Sequence, residues 1–121
     1  MKELHIIVHE DAVKVYADMG SGFALQVMNE ISQIKATKDF LELHDSRNPN
    51  DLHPDMPPIS DDLQVFVSGG YRDTCCTFQL FKLRETGYHA RFHPRAICSG
   101  QGRPPSMLLR EIHEKYPDFY D

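Results

Sequence analysis

Apolar and polar positions divide the chain into short blocks whose period changes from two to about 3.6 and back. LHIIVH (4–9) is a compact apolar run. AVKVYAD (12–18) alternates, with Val13, Val15 and Ala17 against Lys14, Tyr16 and Asp18. Both blocks read as strands, and the polar HED between them reads as the turn of a β-hairpin. From Ser21 the period is helical: Ala24, Val27, Met28, Ile31 and Ile34 form one stripe, with Ser21 as N-cap. DFLELHD (39–45) is a further strand candidate. SRNPNDLHPDMPPISDD (46–62) holds four prolines and reads as a long loop, either a lid or a mobile surface segment. LQVFVS (63–68), apolar on both faces, reads as a central strand covered on both sides.

A helix over about 71–86, apolar nearly all round, follows through Cys75, Cys76, Phe78, Leu80, Phe81 and Leu83. GYHARFHP (87–94) alternates Tyr88, Ala90 and Phe92 with His89, Arg91 and His93, and Pro94 ends it. Ser106 can cap a last helix whose buried edge is Leu109, Ile112 and Tyr116. The order is ββαβ, loop, βαβα. Strands 63–68 and 88–93 with the helix between them have βαβ proportions, so the class is α/β with a small Rossmann-like sheet and an N-terminal β-hairpin.

Composition adjusts this picture in three ways. The length of 121 residues suits a single domain, 1–121, small enough for a homodimer to be a natural way of completing a site. Apolar runs are too short to span a bilayer and the N-terminus lacks a signal-peptide pattern, so the expectation is a cytoplasmic protein with no membrane partner. Three cysteines without CxxC spacing point to neither a disulfide framework nor a thiolate zinc site. Net charge is −5, which argues against long nucleic acid. Even so, residues 72–103 carry six lysines and arginines against two acids, while the rest carries seven against sixteen. A basic segment in an acidic chain fits a small, localised anion.

The turn VSGGYR supplies a place for that anion. At the end of a βαβ strand, free backbone N–H groups and the helix dipole favour negative charge. Gly69 and Gly70 would let a phosphate approach, Ser68 and the Tyr71 backbone would donate hydrogen bonds, and Arg72 would pair with phosphate oxygens. His89, Arg91 and His93 share one strand face with Arg95 just beyond, so two basic clusters are expected to meet at one sheet edge. Residues four apart in a strand stand roughly 13 Å apart. Neither His89 with His93 nor His5 with His9 can therefore chelate one ion, and no metal or cofactor is expected.

Cys75 offers another chemistry. In the first turns of a helix and close to Arg72, a thiol is stabilised as thiolate and can act as a nucleophile. The spacing G-x5-C-x11-G-Y-x7-A, realised as Gly69, Cys75, Gly87, Tyr88 and Ala96, resembles the C-terminal half of isochorismatase-like cysteine hydrolases. Those enzymes also use an aspartate at the end of an N-terminal strand and a lysine ahead of the cysteine strand. Asp18 is the one acid at a comparable predicted strand end, and no lysine lies between Lys38 and Cys75. The resemblance therefore implies a degenerate relative.

VSGGYR at a strand end opening a helix also resembles the SGG-aromatic-basic turn of CRISPR-associated Rossmann-fold (CARF) domains. With Phe78, Lys82, Ala90 and Pro94-Arg95, the pattern is similar to small stand-alone ring nucleases that cleave cyclic oligoadenylate in antiviral defence. The resemblance implies a homodimer that binds such a ring at its two-fold axis and cleaves it without metal, as a phosphodiesterase. Ser68, Gly69, Gly70, Tyr71, His89 and Arg91 would bind the ligand. Arg72 and Arg95 would stabilise developing charge, and His93 (or His89), an imidazole near its ordinary pKa, would serve as acid or base. The same residues would equally serve a non-catalytic module that sequesters a nucleotide.

Overall fold

The computed structural model describes residues 2–44, 47–71 and 75–100. Strands β1 (Lys2–Val8), β2 (Phe40–Leu43), β3 (Leu63–Gly70) and β4 (His89–Cys98) form one sheet in the order β2-β1-β3-β4, with every neighbouring pair parallel. Helices α1 (Glu10–Asp18) and α2 (Gly22–Thr37) lie between β1 and β2, and α3 (Cys75–Thr86) connects β3 to β4. This is a small Rossmann-like α/β fold. The β3-α3-β4 crossover has the parallel geometry its spacing implies. The last predicted helix, from Ser106, lies outside the described residues.

The N-terminal hairpin is not formed, because residues 10–18 are helix α1. Val13 is fully buried, and Tyr16 and Ala17 pack on the same cluster. Positions 13, 16 and 17 are a helical i, i+3, i+4 set, and this set overrides the alternation at 13, 15 and 17, leaving Val15 exposed. Glu10 and Asp11 in the first turn complement the helix dipole. Asp18 consequently closes a helix instead of ending a strand, and the residue that follows β1 is His9.

Helix α2 matches its sequence pattern. The Ser21 hydroxyl accepts the Ala24 amide at 3.1 Å, and Ala24, Val27, Ile31 and Ile34 are buried against Ile7, Ala96 and Cys98. On the opposite face of the sheet, Leu4, Ile6, Val8, Val65, Val67, Ala90 and Phe92 meet Cys76, Leu80 and Leu83 of α3. Two cores thus sandwich the sheet, as the doubly apolar β3 requires. Helix α3 is one-sided, not apolar all round: Cys76, Gln79, Leu80 and Leu83 are buried while Phe78 is exposed.

Two further expectations change. Loop residues 47–62 form a strap packed on the α3 side. Leu52 and Met56 join the core, Gln79 Nε2 donates to the carbonyls of Pro49 and Asp51 at 2.9 Å each, and the Tyr88 hydroxyl donates to Pro57 O. Strand β4 also continues beyond Pro94 to Cys98. The register shifts between Val67 and Gly69, which pair with Phe92 and Ile97. A bulge at 93–96 absorbs the extra residues, and proline, which lacks an N–H, fits such a position on a strand at the sheet's edge.

Candidate functional site

The turn at the end of β3 is tightly packed. Ser68, Gly69 and Gly70 are buried and Tyr71 is half-buried. A Cβ on Gly69, whose φ is +106°, would stand 2.0 Å from the Val8 carbonyl oxygen, and one on Gly70 would stand 2.8 Å from Val13 Cγ2. The two glycines therefore let β3 approach β1 and α1. The Tyr71 hydroxyl donates to Ala12 O at 2.9 Å, pinning the turn to α1. Arg72 lies outside the described residues. Cys75 is half-buried and is the first residue of α3.

His89 and Arg91 do not stand beside this edge. The residue of β4 that pairs with Gly70 is Cys98, while His89 pairs with Gln64 and Arg91 with Phe66, back toward the strands' amino ends. His89 is exposed with Nε2 3.3 Å from Asp61 Oδ1. Arg91, His93 and Arg95 instead line a cleft of about 470 Å³ between the sheet and α2. That volume is in the range of sites for small organic ligands.

Side chains from three neighbouring strands form the cleft floor. Register places His5, Phe66 and Arg91 abreast on one face of β1, β3 and β4. The His5 and Phe66 rings stack with centroids 5.0 Å apart, and Arg91 Cζ lies 5.0 Å from the Phe66 centroid. His93 packs against both rings, 5.8 Å from His5 and 6.1 Å from Phe66. Glu3 and Lys38 close one end of the cleft; Glu30 and Arg95 also line it.

The acids in the cleft already have cations. Lys38 Nζ stands 3.2 Å from Glu3 Oε2, and its hydrogen bond holds the Glu3 carboxyl below the usual range against the opposing effect of partial burial. Arg95 Nε is 4.0 Å from Glu30 Oε1 at an exposed site. Arg91 has no acid partner among the described residues, and its buried Nε has no hydrogen bond.

Both imidazoles are shifted toward the neutral form. Burial lowers the pKa of His5, only partly offset by Glu3. Its Nε2 faces Glu3 Oε2 at 3.5 Å, too long for a full hydrogen bond, so both ring nitrogens are buried without one. For His93, burial first and then the charges of His5 and Arg95 push the pKa down to about 4. The expectation of an ordinary imidazole fails here, and with it the ease of proton exchange near neutral pH.

The sequence singled out Arg91, His93 and Arg95 but not His5, Phe66, Lys38, Glu3 or Glu30. A histidine inside the apolar run LHIIVH was the available signal for His5. Phe66 reads as core because its strand is apolar throughout, and only the incomplete cover by α2 exposes it to the cleft. No group of three or more metal-ligating side chains occurs among the described residues, and no described helix is long and apolar enough to cross a membrane. No protein-family model matches the chain, and no curated protein or solved structure matches it either.

Proposed function

We propose that the protein binds a nucleotide-type phosphodiester in the cleft between α2 and the sheet, with cyclic oligoadenylates as its ligand class. One observation carries this reading: Arg91, a cation without an acid partner among the described residues, lies against an aromatic ring on the cleft floor. Guanidinium pairs strongly with phosphate oxygens, most of all where water is partly excluded. The half-buried rings of Phe66 and His93 line the cleft and offer apolar and polar surface to a base. A two-fold symmetric ring would be met by two identical clefts in a homodimer.

Holding the ligand is better supported than cleaving it. His93 is a poor proton acceptor, and Arg95 is exposed beside Glu30. Radiolabelled cyclic tetra-adenylate incubated with the protein in EDTA should bind, stay cyclic, and be released by Arg91→Ala. A linear product that disappears in Arg91→Ala would replace sequestration with phosphodiesterase activity. Absence of binding by any cyclic oligoadenylate would overturn the proposal, and sedimentation with and without ligand checks the dimer.

A second reading rests on Cys75, the first residue of α3, the helix that follows β3 in the chain. In open α/β sheets ligands bind outside the carboxyl ends of strands where the order reverses, here between β1 and β3. This position suits a nucleophile of the cysteine-hydrolase type, although His9 follows β1 where that family has its aspartate. Iodoacetamide titration decides: alkylation of Cys75 no faster than a free thiol at neutral pH removes this reading.

A further inference from the structure

We infer that His93 selects the ligand of this cleft as a neutral donor of fixed tautomer, offering Nε2–H to an acceptor oxygen of a singly charged group such as a phosphodiester. This rests on the ligand reading above and adds to it the protonation state and charge of the recognised group.

The tautomer follows from the bulge. His93 Nδ1 accepts the backbone amides of Arg95 at 3.1 Å and Ala96 at 3.0 Å. A ring nitrogen accepting two N–H groups cannot carry a proton itself, so the neutral ring bears its proton on Nε2. Nε2 has no hydrogen-bond partner among the described residues. The bulge at 93–96 is thus both the cause of the lock and the device that sets the ring into the cleft.

Burial opposes a charged ring, and the surrounding charges do not offset it. Facing it are Glu3 and His5 from β1, Glu30 and Lys38 from α2 and its C-cap, Phe66 from β3, and Arg91 and Arg95 from β4. Glu3 is engaged by Lys38 and Glu30 stands beside Arg95, leaving no carboxylate dedicated to His93. Burial first, and then the charge of His5, hold the pKa well below neutrality against the opposing effect of the Glu30 and Glu3 carboxylates. With the acids matched by Lys38 and Arg95, Arg91 leaves one positive charge in the cleft, which a phosphodiester monoanion balances and a phosphomonoester dianion exceeds.

Calorimetric titration with the dinucleotide adenylyl-3′,5′-adenosine and with AMP tests this selection in wild type and His93→Asn. Asparagine Oδ1 can still accept the two amides, but nothing replaces Nε2–H. The wild type should bind the dinucleotide more tightly than AMP at pH 8, with a dinucleotide affinity constant within about twofold from pH 5.5 to 8. His93→Asn should melt at the wild-type temperature at pH 7 and bind the dinucleotide about tenfold more weakly, the loss of one hydrogen bond to a charged acceptor. Unchanged binding in the variant overturns the inference. So does wild-type affinity that climbs steadily on acidification with a slope that the variant loses, or tighter binding of AMP. Long-range ¹H–¹⁵N imidazole spectra of the ligand-free protein at pH 7 separate this inference from the ligand reading: an Nδ1–H or cationic ring overturns the inference alone. Failure of the wild type to bind either probe while cyclic tetra-adenylate still binds overturns the inference alone, and failure of all three overturns both.

Discussion

Arg91 Cζ lies 5.0 Å from the centre of the Phe66 ring, with His5 stacked on Phe66 from the neighbouring strand. The arrangement orients a guanidinium that has no carboxylate partner among the described residues, so the ring acts as a positioning element for the anion site. Phe66→Leu keeps most of the apolar volume and removes the π-face. Cation–π stabilisation is worth about 0.5–2 kcal/mol. Ligand affinity should fall by a factor of about 2 to 30, measured by titration, while the melting temperature changes little.

Gly69 should be the least replaceable residue of the turn. Its φ of +106° and the 2.0 Å approach to the Val8 carbonyl exclude a side chain without backbone movement. Gly69→Ala should cost about 2–4 kcal/mol, combining backbone strain with a steric clash, read from urea unfolding. If the glycine served ligand approach alone, the variant would keep wild-type stability and lose only binding.

Gln79 ties the 47–62 strap to α3. It is fully buried, and its Nε2 serves two loop carbonyls. Gln79→Leu leaves both carbonyls short of a donor, at a cost of about 1–3 kcal/mol. Limited proteolysis should then cut within residues 49–57 faster than in the wild type. Ligand affinity should be retained, because the strap packs on the face opposite the cleft.

Acid should weaken the fold through the cleft histidines. His93 has a folded pKa of about 4, and that of His5 is also lowered, so the unfolded chain binds more protons between the ordinary histidine value of 6.5 and the depressed folded values. Stability is full above about pH 6.5 and declines as pH falls toward 4. The urea midpoint should drop over that window, and His93→Asn should flatten part of the drop. An equal slope in both proteins would assign it to other groups.

The cluster of Lys35 with Glu10 and Glu42 joins α2, α1 and β2. Burial alone would lower the lysine pKa, but hydrogen bonds to the two carboxylates outweigh it and raise it. Lys35→Met should leave two acids facing each other and cost about 1 kcal/mol at pH 7. The denaturant midpoint, compared with that of the wild type, gives the measurement.

Local pattern was enough for some of this molecule. Ser21 and the stripe from Ala24 to Ile34 specify α2 because cap and period agree. The apolar run 63–68 specifies a strand covered on both faces, and the α3 segment that follows makes β4 parallel to β3 because such crossovers admit little else. Tertiary packing decided the rest. Residues 12–18 fit a strand by alternation and a helix by the triplet Val13, Tyr16 and Ala17, and α1 is the form that buries this triplet against α2 and Gly70. The pairing of Gly69 and Gly70 with VSGGYR resembles a phosphate turn in sequence, but the proximity of Val8 and Val13, distant in the chain, shows what the glycines accommodate. His5, Phe66 and Arg91 become neighbours only through strand register, and His93 and Arg95 enter the same cleft only through the bulge beyond Phe92. Sequence period records how a segment repeats along itself; which side chains stand abreast depends on how separate strands are aligned, and that alignment is fixed by packing on both faces of the sheet.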